Sequence, residues 1–349
     1  MSTRSTTGIP QGTITRGPRP YLPDYDYVDV QLSGGKDSGL MAAETMDVAR
    51  RDGAEDLVWS HHASLGVVEW PSVTHGGTVW PSVAELAAQQ SVAYGVPRER
   101  HVEVTRTKAG PGGTSAPWGL LSEIAAYGRF PRLGSPYCRK SAKESPISAS
   151  WTLTVRKRRR ELGRPVRILK VLGLRGDESP SRRDRPAYRN VLTNGARIVD
   201  EWLPIQDWRT PEVKEWYKDA LIPYHWTYDS VPGAGDWLGT SRCSCSFCFL
   251  ASKRDLVLSC ARRPRLSALY AEVEAVRGDR FTYGWRMHDL IRSAAEAPPP
   301  GIVLDDDTPA FAALAAQVRA ALHHPPRKEP KLARQSADAE PCAGCAAHT

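Results

Sequence analysis

The sequence predicts an α/β fold built on a doubly wound parallel sheet, followed by a helical, cysteine-containing C-terminal extension. Strand patterns alternate with helix patterns over residues 26–235, which is typical of a parallel sheet with helices on both faces. The stretch "VRILKVLGLR", beginning at Val166, is apolar over most of its length, as expected of a strand buried on both faces. Ligands bind beyond the carboxyl ends of such strands, and the glycine-rich stretch "SGGKDS" follows one of them.

The first predicted strand and helix flank that glycine-rich stretch. Apolar residues alternate in "YVDVQL", as in a half-buried strand, whereas Met41, Thr45 and Val48 recur at the spacing of a buried helical stripe. Further strands are predicted at "DLVWSHH", "HVEVTR", "VRILKVLGLR" and "RIVDEWLPI", and further helices at "VWPSVAELAAQQSVAYG", "LLSEIAAYGRF", residues 149–162 and residues 210–220. Residues 107–119 are rich in glycine and proline and predict a mobile loop that could lie over a site.

The charge of the chain favours polyanionic partners in a general way. The net charge is +8, and the basic run "RKRRR" occupies residues 156–160. Such a run is typical either of a solvated helix face or of a contact with nucleic acid, and the sequence leaves both open. The N-terminus lacks the apolar core of a signal peptide, and no run of about 20 apolar residues could span a bilayer. We therefore expect a cytoplasmic protein without a membrane partner.

The stretch from Ser33 to Ser38 has the composition of an anion site. Gly34 and Gly35 let the main chain approach a ligand closely, and the first NH groups of the following helix have no partner within the helix. Lys36 adds an exposed positive charge, and the two serines add hydroxyl donors, so the site suits a phosphate or pyrophosphate. The spacing is neither GxxxxGK nor GxGxxG. The alternative is a Gly-Gly turn capped by Asp37.

"SGGKDS" resembles the PP-loop of the ATP pyrophosphatases, which cleave ATP between its α and β phosphates. Together with six further motifs, the sequence resembles the phosphoadenosine phosphosulfate (PAPS) reductase family of that superfamily, in particular its phage and actinobacterial members. The motifs follow the family order: "SGGKDS", "LGVVEWPSV", "SPYCRKSAKESPI", "GLRGDESPSRR", "DEWLPIQDW", "IPYHWTYD" and "SRCSCSFCFLASKRDLV". The resemblance implies the adenine nucleotide alpha hydrolase-like fold and a site for ATP with Mg²⁺.

The resemblance also assigns roles to individual residues. It implies that Lys36, Asp37 and Arg175 are catalytic. The residues implied to bind the nucleotide are Ser33, Gly34, Gly35, Lys36, Asp37, Ser38, Glu178, Ser179 and Arg182, with Glu69 and Trp70 as weaker candidates on the adenine side. Arginine suits this task because its planar guanidinium binds phosphate oxygens in pairs. Alternatively, Arg175 and Arg182 form ion pairs with acidic residues of the same segment, namely Asp177, Glu178 and Asp184.

Three cysteines lie within six residues in "CSCSFC", at positions 243, 245 and 248. In a cytoplasmic protein they are not expected to form disulfides, and thiolates at this spacing converge on a metal ion or an iron–sulfur cluster. The resemblance implies Cys138 as the fourth ligand, with Cys260 as the runner-up. We favour a 4Fe–4S cluster, and zinc or reduced thiols with packing roles are the alternatives.

The chain is expected to divide into four regions. These are a flexible N-terminus (residues 1–25), a nucleotide-binding α/β domain (26–235), a cysteine-cluster and helical region (236–324) and a disordered tail (325–349). The tail carries Cys342, Cys345 and His348. Cys345 and His348 match the separation in the ECGLH-like terminal motif of sulfonucleotide reductases, although an adventitious CxxC is the alternative reading.

Three functions follow from these motifs. The first is an ATP pyrophosphatase that activates an acceptor for sulfur transfer, as in DNA-phosphorothioation enzymes, with a nucleic acid as one acceptor and a sulfur donor or redox partner that the sequence does not identify. The second is a thiol-dependent reductase of adenylylsulfate or phosphoadenylylsulfate, with Cys345 as nucleophile. The third is a non-catalytic protein that binds nucleotide or DNA. The intact loop favours the first.

Overall fold

Strands and helices alternate in the computed structural model, which describes residues 19–109, 113–228, 239–243, 245–298, 302–304 and 306–328. The strands are β1 (Tyr27–Leu32), β2 (Val58–Ser64), β3 (Val73–His75), β4 (Thr78–Trp80), β5 (His101–Thr105), β6 (Thr107–Ala109), β7 (Ser115–Pro117), β8 (Val166–Val171), β9 (Tyr188–Thr193) and β10 (Arg197–Trp202). The helices are α1 (Lys36–Asp52), α2 (Val83–Tyr94), α3 (Leu120–Tyr127), α4 (Ser145–Leu162), α5 (Pro180–Arg183), α6 (Thr210–Trp216), α7 (Lys253–Arg262), α8 (Pro264–Arg277), α9 (Met287–Glu296) and α10 (Pro309–Leu322).

The central sheet has six strands in the order β5-β2-β1-β8-β10-β9. The first five run parallel, and β9 pairs antiparallel with β10 at the edge. The predicted α/β fold with a parallel sheet is therefore confirmed. Strand β9 was not predicted, because almost all of its side chains are exposed and its sequence lacks an apolar alternation.

Two layers of helices cover the sheet. On one face, α1, α2 and α6 pack against β1 through residues such as Val30, Met46 and Trp216. On the other face, Trp151 of α4 packs against the side of the sheet that carries Ile168. The sheet is thus buried on both faces, as the apolar run of β8 predicts.

Local signals set the ends of the helices that hold the site. Gly53 ends α1 in the left-handed conformation, with a φ of 64°. Ser82 and Glu85 form a capping box at the start of α2, and Gly95 ends it with a φ of 110°. The apolar face of α2, which contains Leu86 and Ala87, is buried.

The C-terminal helices share a second hydrophobic core with α3. Leu121 and Ile124 of α3 pack in one cluster with Leu256, Val273 and Val318, which come from α7, α8 and α10. This arrangement forms the predicted helical extension that follows the cysteine motif. None of the helices in the described ranges is both long and apolar enough to cross a membrane.

Three segments differ from the sequence-based expectations. Residues 107–119, predicted to be a mobile loop, contain the antiparallel pair β6 and β7. Helix α4 begins at Ser145 rather than at residue 149 and follows a π-helical turn over Arg139–Glu144. Within the predicted flexible N-terminus, Leu22 and Tyr25 are buried. Of the predicted tail, residues 325–328 are described.

Candidate functional site

The glycine-rich stretch forms the corner between β1 and α1. Gly34 has a φ of 68°, in the region that favours glycine, and a Cβ atom there would clash with the carbonyl oxygen of Val83. Ser38 Oγ donates to the carbonyl of Gly35 at 2.9 Å and accepts from the N–H of Ser33 at 3.1 Å. No described side chain caps the start of α1, at Gly35. The positive end of this helix is therefore available to an anion.

Lys36 lies against the loop and is only 8% exposed, which corrects the expectation of an exposed lysine. Its Nζ atom lies 3.4 Å from Asp37 Oδ2 and 4.5 Å from the centre of the Tyr228 ring. Burial lowers the pKa of Lys36, and the neighbouring carboxylate of Asp37 opposes that shift. An anionic ligand would supply the further negative charge that favours the ammonium form.

Arg175 reaches the loop but is held by carboxylates. Its Nε donates to Asp37 Oδ1 at 2.7 Å, and its Nη1 donates to Asp177 Oδ1 at 2.7 Å and to Thr210 Oγ1 at 3.0 Å. The side chain is buried. Arg175 therefore forms ion pairs with acidic residues, as in the alternative to phosphate binding. The charge of its guanidinium compensates those of Asp37 and Asp177.

Arg182, like Arg175, forms an ion pair with a carboxylate, but it lies nearer to the surface. It pairs with Glu178 one turn earlier, as the ion-pair alternative predicts. Burial, followed by the guanidinium group of Arg242 and then those of Arg175 and Arg139, lowers the pKa of Arg182. Several guanidinium groups therefore lie within electrostatic range of Arg182. Ser179 forms a hydrogen bond of 3.2 Å with Ser181 within its own segment.

Sequence reasoning missed several residues that shape the loop. The hydroxyl of Tyr217 donates to the carbonyl of Lys36 at 2.6 Å, and that of Tyr228 lies 3.1 Å from the position that a Cβ of Gly35 would take. A Cβ at Gly173, just after β8, would lie 2.9 Å from the carbonyl oxygen of Asp37. The motif "IPYHWTYD" contains Tyr228 and was the sequence signal for its place at the loop. The approach of Gly173 to Asp37 depends on the order of the strands in the sheet, which no local pattern indicates.

Glu69 and Trp70, the weaker candidates on the adenine side, lie close to the loop, but their side chains contact other protein groups. Trp70 packs in an apolar cluster with Val83 and Trp226. Glu69 Oε2 lies 3.4 Å from His62 Nε2, and His62 Nδ1 lies 3.0 Å from the carbonyl oxygen of Leu32. Burial opposes ionisation of His62, but the Glu69 carboxylate, the Leu32 carbonyl and Glu103 together raise the pKa of the imidazole.

His61 bonds to Asp29 through a contact of 2.5 Å between Nδ1 and Oδ1. His62, in contrast, faces Leu32 and Glu69. The two histidines therefore have separate partners, as expected of neighbours in a strand.

The structure separates the predicted cysteine ligands into two places. Cys245 donates a hydrogen bond to Cys248, which lowers the pKa of Cys248, and both lie within electrostatic range of Cys138 and Tyr270. Cys243 instead accepts a hydrogen bond from Thr227 and lies within electrostatic range of Lys36.

Burial is the largest influence on the pKa of the other thiols. It raises the pKa of Cys138 to about 11 and that of Cys243 to about 12. Cys260 is buried within α7, where burial raises its pKa to about 12. Across the described ranges, no three His, Cys, Asp or Glu side chains converge closely enough to hold a metal ion. Cys342, Cys345 and His348 lie outside the described residues.

Comparison with known proteins finds a distant structural likeness. No protein-family model matches the sequence, and no curated protein is significantly similar to it. Among solved structures, the chain is similar to the phosphoadenylyl-sulfate (PAPS) reductase of Candida auris in its phosphate complex, with a TM-score of 0.32 and 15% sequence identity. The match covers 62% of this chain and 84% of that one. A likeness of this degree does not assign an activity to the chain.

Proposed function

We propose that the chain is a PP-loop enzyme of the PAPS reductase type that binds MgATP and releases pyrophosphate to activate an acceptor for sulfur transfer. The observation that carries the proposal is the loop from Ser33 to Ser38. It combines a left-handed glycine, an uncapped helix start and a largely buried lysine at one corner of the sheet. This combination suits a polyphosphate better than it suits a plain turn.

In the proposed reaction, the phosphates lie against the N–H groups at the start of α1. An acceptor oxygen attacks the α phosphorus, and the bond from that phosphorus to the bridging oxygen breaks, so that pyrophosphate leaves with the electron pair. Lys36 neutralises the charge that develops on the leaving group, and it is preorganised because Asp37 and the Tyr228 ring hold its ammonium. A reduced sulfur donor then displaces AMP from the activated acceptor.

Asp37 is the residue proposed to hold Mg²⁺, because hard cations prefer carboxylate oxygens. Arg175 holds that carboxylate through its bond to Oδ1. Arg175 therefore has a positioning role in the proposal, whereas Lys36 contacts the phosphates. Glu178, Ser179 and Arg182 remain proposed nucleotide contacts at the rim of the site.

The proposed cofactor is an iron–sulfur cluster, with zinc as the alternative. Cys138, Cys245 and Cys248 lie within electrostatic range of one another and would supply three of its ligands, whereas Cys243 lies within electrostatic range of Lys36. A bound cluster would supply electrons or hold sulfur for the transfer step. The thiols would have to move closer together to bind it.

The test compares Lys36→Met with Lys108→Met. Lys108 also lies over an aromatic ring, 4.2 Å from Trp118, but on the hairpin of β6 and β7. We expect wild type and Lys108→Met to bind MgATP and to release pyrophosphate with nucleotides or oligonucleotides as acceptors. Lys36→Met should lose about 100-fold or more of that release, as for other groups that stabilise developing charge.

Two other results would replace the proposal. Sulfite formed from adenylylsulfate or phosphoadenylylsulfate, and abolished by Cys345→Ala, would assign the reductase function. MgATP binding without pyrophosphate release for any acceptor would assign a non-catalytic binding function.

A further inference from the structure

The loop between α8 and α9, residues 278–286, presents two aromatic rings to solvent. Tyr283 is 82% exposed and Trp285 is 38% exposed, with Gly284 between them. The turn is closed by hydrogen bonds, in which the N–H of Thr282 donates to the carbonyl of Trp285 at 3.2 Å and the N–H of Trp285 donates to Thr282 Oγ1 at 3.0 Å. The rings therefore project from a structured turn.

Both ends of this loop are anchored in the core. The carboxylate of Glu274 accepts from the N–H of Phe281 at 2.6 Å and from the N–H of Met287 at 2.8 Å. Phe281 is buried and packs edge-on against Phe130 and Tyr270. The fold thus supports a rigid turn whose two outermost large side chains contribute little to the core. Exposed aromatic residues on a rigid support are typical of a binding surface.

Basic side chains accompany the two rings. The Arg132 guanidinium lies 5.1 Å from the centre of the Tyr283 ring, and Lys253 Nζ lies 4.3 Å from that of Trp285. Arg286 is also exposed, and no acidic residue occurs between Arg280 and His288. Arg132 is held in place by Asp279 at 2.9 Å and by the carbonyl oxygens of Pro131 and Phe281, so it supports the Tyr283 ring and is not free to bind a phosphate. We call Lys253, Tyr283, Trp285 and Arg286 the aromatic–basic surface.

We infer that the aromatic–basic surface binds single-stranded nucleic acid. Unpaired bases stack on the open faces of Tyr283 and Trp285, and the basic side chains contact the phosphates between them. A paired base has no free face for such stacking, so the surface favours single strands over duplex. The lack of acidic residues between Arg280 and His288 and the net charge of +8 favour a polyanion over a protein partner. The inference does not depend on the proposed nucleotide chemistry.

The test is fluorescence anisotropy of a labelled oligothymidylate of roughly 16 nucleotides, titrated with the full chain in the absence of ATP. We expect the double variant Tyr283→Ala/Trp285→Ala to bind at least about tenfold more weakly, from the loss of two stacking platforms. Tyr283→Phe/Trp285→Phe keeps both rings and should stay within about threefold of wild type. Circular dichroism checks that each variant is folded.

The exposed basic run of α4 provides the matched control. Arg158→Ala/Arg159→Ala removes two exposed charges elsewhere and should also stay within about threefold of wild type. Several results would overturn the inference: no binding by wild type, equal affinity for a duplex, unchanged affinity in the double alanine variant, or loss of binding only in the α4 variant. Self-association that the double alanine variant abolishes, without oligonucleotide binding, would assign the surface to a protein contact instead.

Discussion

Arg175 Nε lies 2.7 Å from Asp37 Oδ1, so an ion pair joins the segment after β8 to the first turn of α1. The same guanidinium holds Asp177, which also accepts from the N–H of Thr210 at the start of α6. Three segments of the site therefore meet at one buried side chain. Asp37 would be left without this partner if the guanidinium were removed, and its position beside the loop would relax.

We expect Arg175→Met to lower the free energy of unfolding by about 2–4 kcal/mol, because it removes the guanidinium that pairs with two partly buried carboxylates and leaves Asp37 with only the Lys36 ammonium, at 3.4 Å. Arg164→Met is the control, since Arg164 binds Asp26 at the same distance of 2.7 Å but is about half exposed. That variant should cost less than about 1 kcal/mol. Urea unfolding measures both, and equal costs would show that Arg175 contributes no more than a surface pair.

Gly34 and Gly53 provide a second matched comparison. Both have positive φ, at 68° and 64°, but only a Cβ at Gly34 would meet another atom, the carbonyl oxygen of Val83. Gly53→Ala should cost about 1 kcal/mol of backbone strain and leave MgATP binding intact. Gly34→Ala should abolish MgATP binding, because the loop must move away from Val83. Calorimetric titration with MgATP measures the affinity of both variants. An unchanged affinity in Gly34→Ala would contradict the close approach of Gly34 to Val83.

The sequence predicts what depends on neighbouring residues and misses what depends on distant packing. The loop and the strands of the parallel sheet follow from short apolar and glycine patterns. The partners of Arg175 come from three separate segments, so no local pattern indicates which acidic residue it binds. Cys243 and Cys245 are two positions apart yet have different neighbours, and their spacing alone predicted convergence. Strand β9 lacks a buried face, and its sequence therefore lacks the alternation of apolar and polar residues that predicts a strand.

The cysteine arrangement leads to a prediction about metal content. Protein purified without oxygen should contain iron and sulfide, and Cys138→Ser, Cys245→Ser or Cys248→Ser should each lose both, because each of these thiolates is a proposed ligand of the cluster. Cys260→Ser is the control, since its side chain is buried among the apolar residues around α7. We expect Cys243→Ser to keep its iron, because Cys243 faces Thr227 and Lys36. Zinc without iron in the purified protein would contradict the cluster.

His225 links the stability of the fold to pH. Its Nδ1 accepts from the N–H of Thr227 at 3.2 Å, the ring is buried, and burial lowers its pKa to about 3. In the unfolded chain the imidazole has its ordinary pKa of about 6.5, so below that pH the unfolded chain binds a proton that the folded chain does not bind. The contribution of His225 to the free energy of unfolding therefore falls progressively as the pH is lowered from about 6.5 to about 3.

His225→Asn should remove that dependence, because an amide oxygen can accept from Thr227 but does not titrate. Between about pH 7.5 and about pH 4.5, we expect wild type to lose about 2–3 kcal/mol more unfolding free energy than the variant. Urea unfolding at the two pH values measures the difference, and the value at the higher pH gives the cost of the substitution itself. Equal losses in both proteins would mean that the imidazole is protonated in the folded state as readily as in the unfolded state. In that case burial would not control its charge.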